Sequence, residues 1–198
     1  PSGNFGNAYS AWFGRNNGLS INEIFCASNV NDVLTRFIST GKLEPKETIP
    51  SVAPSMDIQI PSSLERLIYN FEGDSSSFYD QLQNEKIAKL SEESVVKLQN
   101  IFSSLSFNDE MILNEIDLFY KNYGWVIDPH TATALSSSVT FSSTLPVVGV
   151  ATASPEKFSD VIFKIIDEFR VESTKNEEKY FVQKANSSLV ENTIKECL

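Results

Sequence analysis

Residues 1–7 read PSGNFGN, with Gly3 and Gly6 three apart and Ser2, Asn4 and Asn7 around them. Glycines reach backbone dihedrals that other residues avoid, so such a loop can turn successive N–H groups inward. A helix beginning near Ala8 would point the positive end of its dipole back at the loop. Together these features make a nest for an anion, a phosphate group above all. The same spacing also serves a plain strand-to-helix turn. The lysine and Ser/Thr of a P-loop are missing, as is the third glycine of a dinucleotide fingerprint, which argues against a nucleotide site.

Other side chains invite chemistry one at a time. His130 is the only imidazole and so the natural candidate for a general base, yet it sits at the second position of a helix opened by Asp128 and Pro129, where capping and packing explain it. Asp57 follows a proline-rich stretch and either turns toward a ligand or caps nearby backbone. Asn29, Asn31 and Asp32 read as the start of a helix. Arg36 and Arg66 could steer an anionic substrate, but each lies on an amphipathic helix where an exposed ion pair is the ordinary role. Asn186 opens an NSS sequon, without meaning in a cytoplasmic protein.

Composition narrows the classes. The 198 residues suit one domain or one large piece of a larger one, and 41% hydrophobic residues with 14 Phe provide an aromatic-rich core. A formal charge of -10 argues against nucleic acid and anionic membrane surfaces as partners, while leaving room for a local anion site made of backbone N–H groups. Cys26 and Cys197 lie far apart without metal-site spacing, the usage of a reducing compartment. One histidine excludes a multi-histidine metal centre. The longest apolar stretch, Leu145 to Ala153, is too short to span a bilayer, and no signal-peptide pattern is present. The absence of an initiator Met, with the start falling inside a motif, reads as a cut from a longer polypeptide.

The elements that must position these groups alternate strand and helix. Ala8, Ala11 and Trp12 share a helical face that stops at Gly18, and Ile21 to Ala27 is a short β-rich run. A second helix is capped by Asn29 or Asn31, buries Val33, Leu34, Phe37 and Ile38, and ends at Gly41. Residues 42–60 carry three prolines and form a long loop, ordered or not; a helix follows Pro61. Residues 72–122 read as polar helices with solvated charged faces, and residues 145–153 as a central parallel strand running into a helix opened by Ser154 and Pro155. Strand, polar turn, helix is where α/β sheets hold ligands.

Five blocks occur in a telling order: PSGNFGN, ASNVNDVLTRF, SVAPSMDIQIPSSLERLIY, DPHTATA and GVATASPEKF. Together they resemble the C-terminal half of the threonine synthases, a pyridoxal-phosphate family of fold-type II, and most closely its longer branch. The resemblance covers roughly residues 1–71 and 123–167. It implies a three-layer α/β/α large domain of the tryptophan synthase β-like kind, lacking its N-terminal side. The expected division is 1–71 with the phosphate loop, 72–122 as a helical insertion, 123–171 as the C-terminal α/β part, and 172–198 as a tail.

The resemblance implies further that the parent enzyme converts O-phospho-L-homoserine and water to L-threonine and phosphate in the cytoplasm. Gly3, Asn4, Phe5, Gly6 and Asn7 would cradle the phosphate of pyridoxal 5'-phosphate through backbone N–H groups. Thr152 would hydrogen-bond the pyridine nitrogen, tempering the electron sink in a way an aspartate would not; an ordinary helix cap is the other reading of that residue. The family's Schiff-base lysine belongs to a Phe-Lys-Asp type motif upstream, and no such motif occurs here, so no catalytic residue is assigned. Lys157 matches a different family lysine, and Ser154 stands where the family usually has histidine. The chain alone is therefore expected to be silent, needing the missing N-terminal part of the same polypeptide. The alternatives are a related phospholyase acting on another γ-phosphorylated amino acid, and a homologue that keeps the fold for binding alone.

Overall fold

Strand β1 (Ile24–Ser28) divides the molecule into two cores. Side chains alternate across a strand, so Ile24 and Cys26 enter one apolar cluster while Phe25 and Ala27 face the other. β1 pairs in parallel with β4 (Phe102–Ser106), Ile24 opposite Phe102 and Ser28 opposite Ser106. Helices cover both faces of this pair. In a computed structural model, residues 1–137 and 145–170, with 188, 189 and 195, are described.

The first core takes α1 (Gly6–Asn16), α2 (Val33–Thr40), α3 (Leu64–Glu72), α4 (Ser76–Glu85) and α5 (Glu92–Gln99). On α2 the expected residues Val33, Leu34, Phe37 and Ile38 are all buried. Each is worth about 1.5–3 kcal/mol of transfer free energy. The helix stops where Gly41 adopts φ 69° and donates its N–H to the carbonyl of Phe37. A side chain there would also strike Val95 Cγ2 of α5 at 2.2 Å, so glycine answers two demands at once. The second core takes α6 (Asp109–Tyr123), α7 (Pro129–Ser136) and α8 (Ser159–Ile162), with Ile112, Ile116, Ala132 and Ile162 fully buried.

Residues 72–122 are mostly helical, as the charge pattern suggests, but they also supply β4 and the short β3 (Ala88–Lys89), which pairs antiparallel with β2 (Lys42–Leu43). Residues 145–153, expected as a central strand, form no strand: Val147, Val148 and Val150 stand 56%, 82% and 50% exposed. A β-branched run becomes a strand only beside a partner strand, and among the described residues no strand pairs with it. The following helix is shorter than its pattern, a 3-10 turn at Pro155–Phe158 leading into α8. The tail from 172 lies almost wholly outside the described residues, as do Asn186 and Cys197.

Asn29 and Asn31 do not cap α2. Its N-cap is Asp32, whose side chain makes no capping hydrogen bond and accepts from Arg36 instead. The two buried asparagines instead hold the proline-rich loop: Asn29 Nδ2 donates to Asp57 Oδ1 (2.7 Å) and Ser51 Oγ (2.7 Å), and Asn31 Nδ2 to Asp57 Oδ1 (3.0 Å) and the Ile49 carbonyl (2.8 Å). Asp57 Oδ2 accepts the Ser51 N–H at 3.0 Å. Residues 42–60 thus make an ordered loop, fixed by hydrogen bonds rather than by apolar periodicity.

Candidate functional site

The opening loop lies against the C-terminal end of β1, because the Ser2 N–H donates to the Ala27 carbonyl at 2.9 Å. Asn4 staples the loop to the approach to α3. Its carbonyl accepts the Ser63 N–H, and its Oδ1 accepts the Ser62 N–H (2.6 Å) and hydroxyl (3.0 Å). Gly3 is required for closeness: a Cβ there would lie 2.6 Å from Met56 Cα. Gly6 is not, since its Cβ would meet only Ser63 Oγ, at 3.7 Å.

The left-handed residue of the loop is not a glycine. Phe5 has φ 68° and ψ 4°, a conformation costing an L-residue about 1–2 kcal/mol. Its ring is fully buried and meets Phe102 of β4 at a centroid distance of 5.4 Å, and burial of about 1.5–3 kcal/mol offsets the strain. The backbone is thereby bent while the side chain anchors it in the core.

Helix α1 begins immediately afterwards without a side-chain cap and without an acidic residue in its first turn. The N–H groups at the start of any helix lack intrahelical acceptors. Those of Gly6, Asn7 and Ala8 gain none from the described residues. They open, with the rest of residues 1–7, onto a cleft of about 270 Å³ also lined by Ser55, Met56, His130, Thr152 and Ala153. Among the described residues no carboxylate lines it. Ser2 Oγ is buried beside it with no partner among the described residues. Unanswered N–H groups, a positive helix end and no competing carboxylate fit a phosphate monoester dianion.

Behind the cleft sits a buried Asp–His pair. Asp128 caps α7, its Oδ1 accepting the His130 N–H at 2.9 Å, while Oδ2 accepts the Thr131 hydroxyl. The same Oδ1 lies 2.9 Å from His130 Nδ1. His130 Nε2 accepts the backbone N–H of Ser55 at 3.1 Å, so the ring proton resides on Nδ1. Both nitrogens are engaged and the ring is 4% exposed, packed on Phe158 at 4.7 Å. Burial alone would raise the Asp128 carboxyl, but the hydrogen bonds from His130 and Thr131 outweigh it and hold the group below the ordinary aspartate range.

No protein-family model matches the chain. Threonine synthase of Pseudomonas aeruginosa is 33% identical over 170 residues, 83% of this chain and 36% of that protein. Human threonine synthase-like 1 is 31% identical, over 94% of this chain and 26% of that protein. The crystal structure of threonine synthase from Brucella melitensis, described as bound to PLP, superposes with a TM-score of 0.83 at 26% identity, over 99% of this chain and 45% of that one. The chain belongs to the threonine synthase family. It spans less than half the length of these relatives, and its fold is the fold-type II architecture over the part covered.

Within this threonine synthase fold, Gly3, Asn4, Phe5, Gly6, Asn7 and Thr152 all line one cleft, although Thr152 follows the loop by more than a hundred residues. Asp57, Arg36 and Arg66 do not reach it. Arg36 pairs with Asp32 at 2.9 Å and donates to the Glu44 carbonyl, and Arg66 lies over the Tyr9 ring at 5.8 Å. Ser154 Oγ donates to Glu156, within its own turn. Sequence reasoning missed Ser55 and Met56 as lining residues. Only the neighbouring SMD block and Gly3 hinted at them, and neither carries a distance.

Proposed function

We propose that this chain supplies the cofactor-phosphate half of a threonine synthase, the enzyme that turns O-phospho-L-homoserine and water into L-threonine and phosphate. The observation that carries the reading is the uncapped start of α1, opening onto the same cleft as Thr152. Pyridoxal phosphate, when bound, supplies an electron sink for charge developing on the amino-acid substrate. The backbone N–H groups from Gly3 to Asn7 hold its phosphate, and Asn4 fixes the curvature of that cup from behind. The Thr152 hydroxyl donates to the pyridine nitrogen, orienting the ring without placing a full charge beside it. Phe5 supports the cup from the core side, so the donors face a dianion with little reorganisation.

Among the described residues no lysine lines the cleft. With no Phe-Lys-Asp motif in these 198 residues, the lysine that anchors the cofactor belongs in this reading to another part of a longer cytoplasmic polypeptide, which also brings most groups for the substrate's phosphate and carboxylate. In the full-length protein, borohydride treatment with pyridoxal phosphate fixes one pyridoxyl group, on a lysine outside these 198 residues, and O-phospho-L-homoserine yields threonine and phosphate in equal amounts. A pyridoxyl group on a lysine of this chain would refute the division of labour.

The similarity to human threonine synthase-like 1, over 94% of the chain, favours one second reading: a phospholyase of the same architecture acting on another γ-phosphorylated amino acid. Phosphate release from such a compound, without release from O-phospho-L-homoserine, separates it from the first. Cofactor binding without any turnover identifies a homologue kept for binding alone.

A further inference from the structure

The turn at Pro54–Met56 is pressed against the loop. A Cβ on Gly3 would lie 2.6 Å from Met56 Cα and 3.2 Å from the Ser55 carbonyl, so any drift of the turn displaces Gly3 itself. The turn carries no side-chain cap of its own. Its early side is tied by Asn29 Nδ2 to the Ala53 carbonyl at 3.3 Å. Beyond the turn's own backbone bonds and the burial of Met56, its middle is tied among the described residues by one hydrogen bond, from the Ser55 N–H to His130 Nε2, spanning 75 residues of sequence. That acceptor exists because Asp128 Oδ1 keeps the ring proton on Nδ1.

From this line of contacts we infer that Asp128 and His130 are positioning residues: they hold Ser55 and Met56 against Gly3 and so set the curvature of the anion cup. Neither contacts a reacting atom in this scheme. His130 lines the cleft with both nitrogens already spent, and acts through the backbone of the turn. The inference rests on the proposed role of the loop as the cofactor-phosphate site.

Two amide substitutions separate this role from mere packing. The oxygen of His130→Gln reaches the place of Nε2 and still accepts the Ser55 N–H, but leaves Asp128 short of a donor. The amide of His130→Asn takes the place of Nδ1 and donates to Asp128, but falls short of Ser55. In the full-length protein, His130→Asn raises the dissociation constant for pyridoxal phosphate about 5- to 10-fold, while His130→Gln stays within about twofold. Thermal stability runs the other way, with Gln the less stable of the two. Hydrogen–deuterium exchange over residues 51–60, measured without cofactor, is faster in the Asn variant and near wild type in Gln.

A purely structural histidine would make affinity follow stability, and that ordering overturns the inference. So does an unchanged affinity in a folded His130→Asn protein, whatever becomes of Gln. An exchange difference without an affinity difference also overturns it, since the turn would then be held without setting the cup. If wild type fails to bind pyridoxal phosphate, the functional reading falls instead, and equal exchange in both variants removes the clamp as well.

Discussion

Replacing Gly6 with aspartate probes the cup by charge rather than by shape. The site has room, since a Cβ meets nothing closer than Ser63 Oγ at 3.7 Å, and Gly6 needs no left-handed dihedral. A carboxylate about 5 Å from a phosphate dianion costs about 1.7 kcal/mol if solvent screens it as in bulk water, and more at a lower effective dielectric. Affinity for pyridoxal phosphate should therefore fall at least about 15-fold. The same aspartate sits at the first position of α1 and favours the helix dipole by about 0.3–1 kcal/mol, so the folded protein should be no less stable. Opposite movements of affinity and stability are the signature. The assay is a spectrophotometric cofactor titration of the full-length protein beside a urea melt, with Gly6→Asn as the neutral control. Equal affinity in Gly6→Asp and wild type, or an equal loss in Gly6→Asn, would refute the reasoning.

Further outcomes follow from the same geometry. Gly3→Ala drives a methyl into the Met56 backbone at 2.6 Å and should cost about 1–3 kcal/mol in urea unfolding, with looser cofactor binding. The Asp128 carboxyl is held below its unfolded value, so its contribution is full above the ordinary aspartate pKa and is lost as pH falls through the folded value. Asp128→Asn should thus lose about 2 kcal/mol near neutrality. That gap to wild type should close in melts taken below about pH 4. Burial pushes the Cys26 thiol up to about 12. Thiol titration of the native protein at pH 8 should leave Cys26 unmodified until denaturant is added.

The parts legible in the sequence are those governed by local rules. The faces of α2, its stop at Gly41, and the Asp128–Pro129 opening of α7 follow from periodicity, left-handed glycine and capping, and the structure carries them. The polar FSSLS run of β4 hides its strand, because three serines interrupt the apolar alternation that marks one. Residues 145–153 show the reverse failure, strand chemistry without a partner strand among the described residues. In the site, a tight loop opening a helix is legible from glycine spacing, but the assignment of its bend is not. Phe5 takes the left-handed position because a long-range contact with Phe102 outweighs its local strain. Asn29, Asn31 and Asp57 look like caps and turn formers, and only folding brings them into one network. The bond from Ser55 to His130 is likewise invisible at a separation of 75 residues.

A crystal structure of the full-length protein with pyridoxal phosphate tests the central claim most directly. Phosphate oxygens should lie roughly 2.7–3.2 Å from backbone nitrogens between Gly3 and Asn7, with the pyridine nitrogen at hydrogen-bond distance from Thr152 Oγ1. A phosphate held elsewhere, with those N–H groups facing water, or a ring nitrogen paired to a residue other than Thr152, would contradict it.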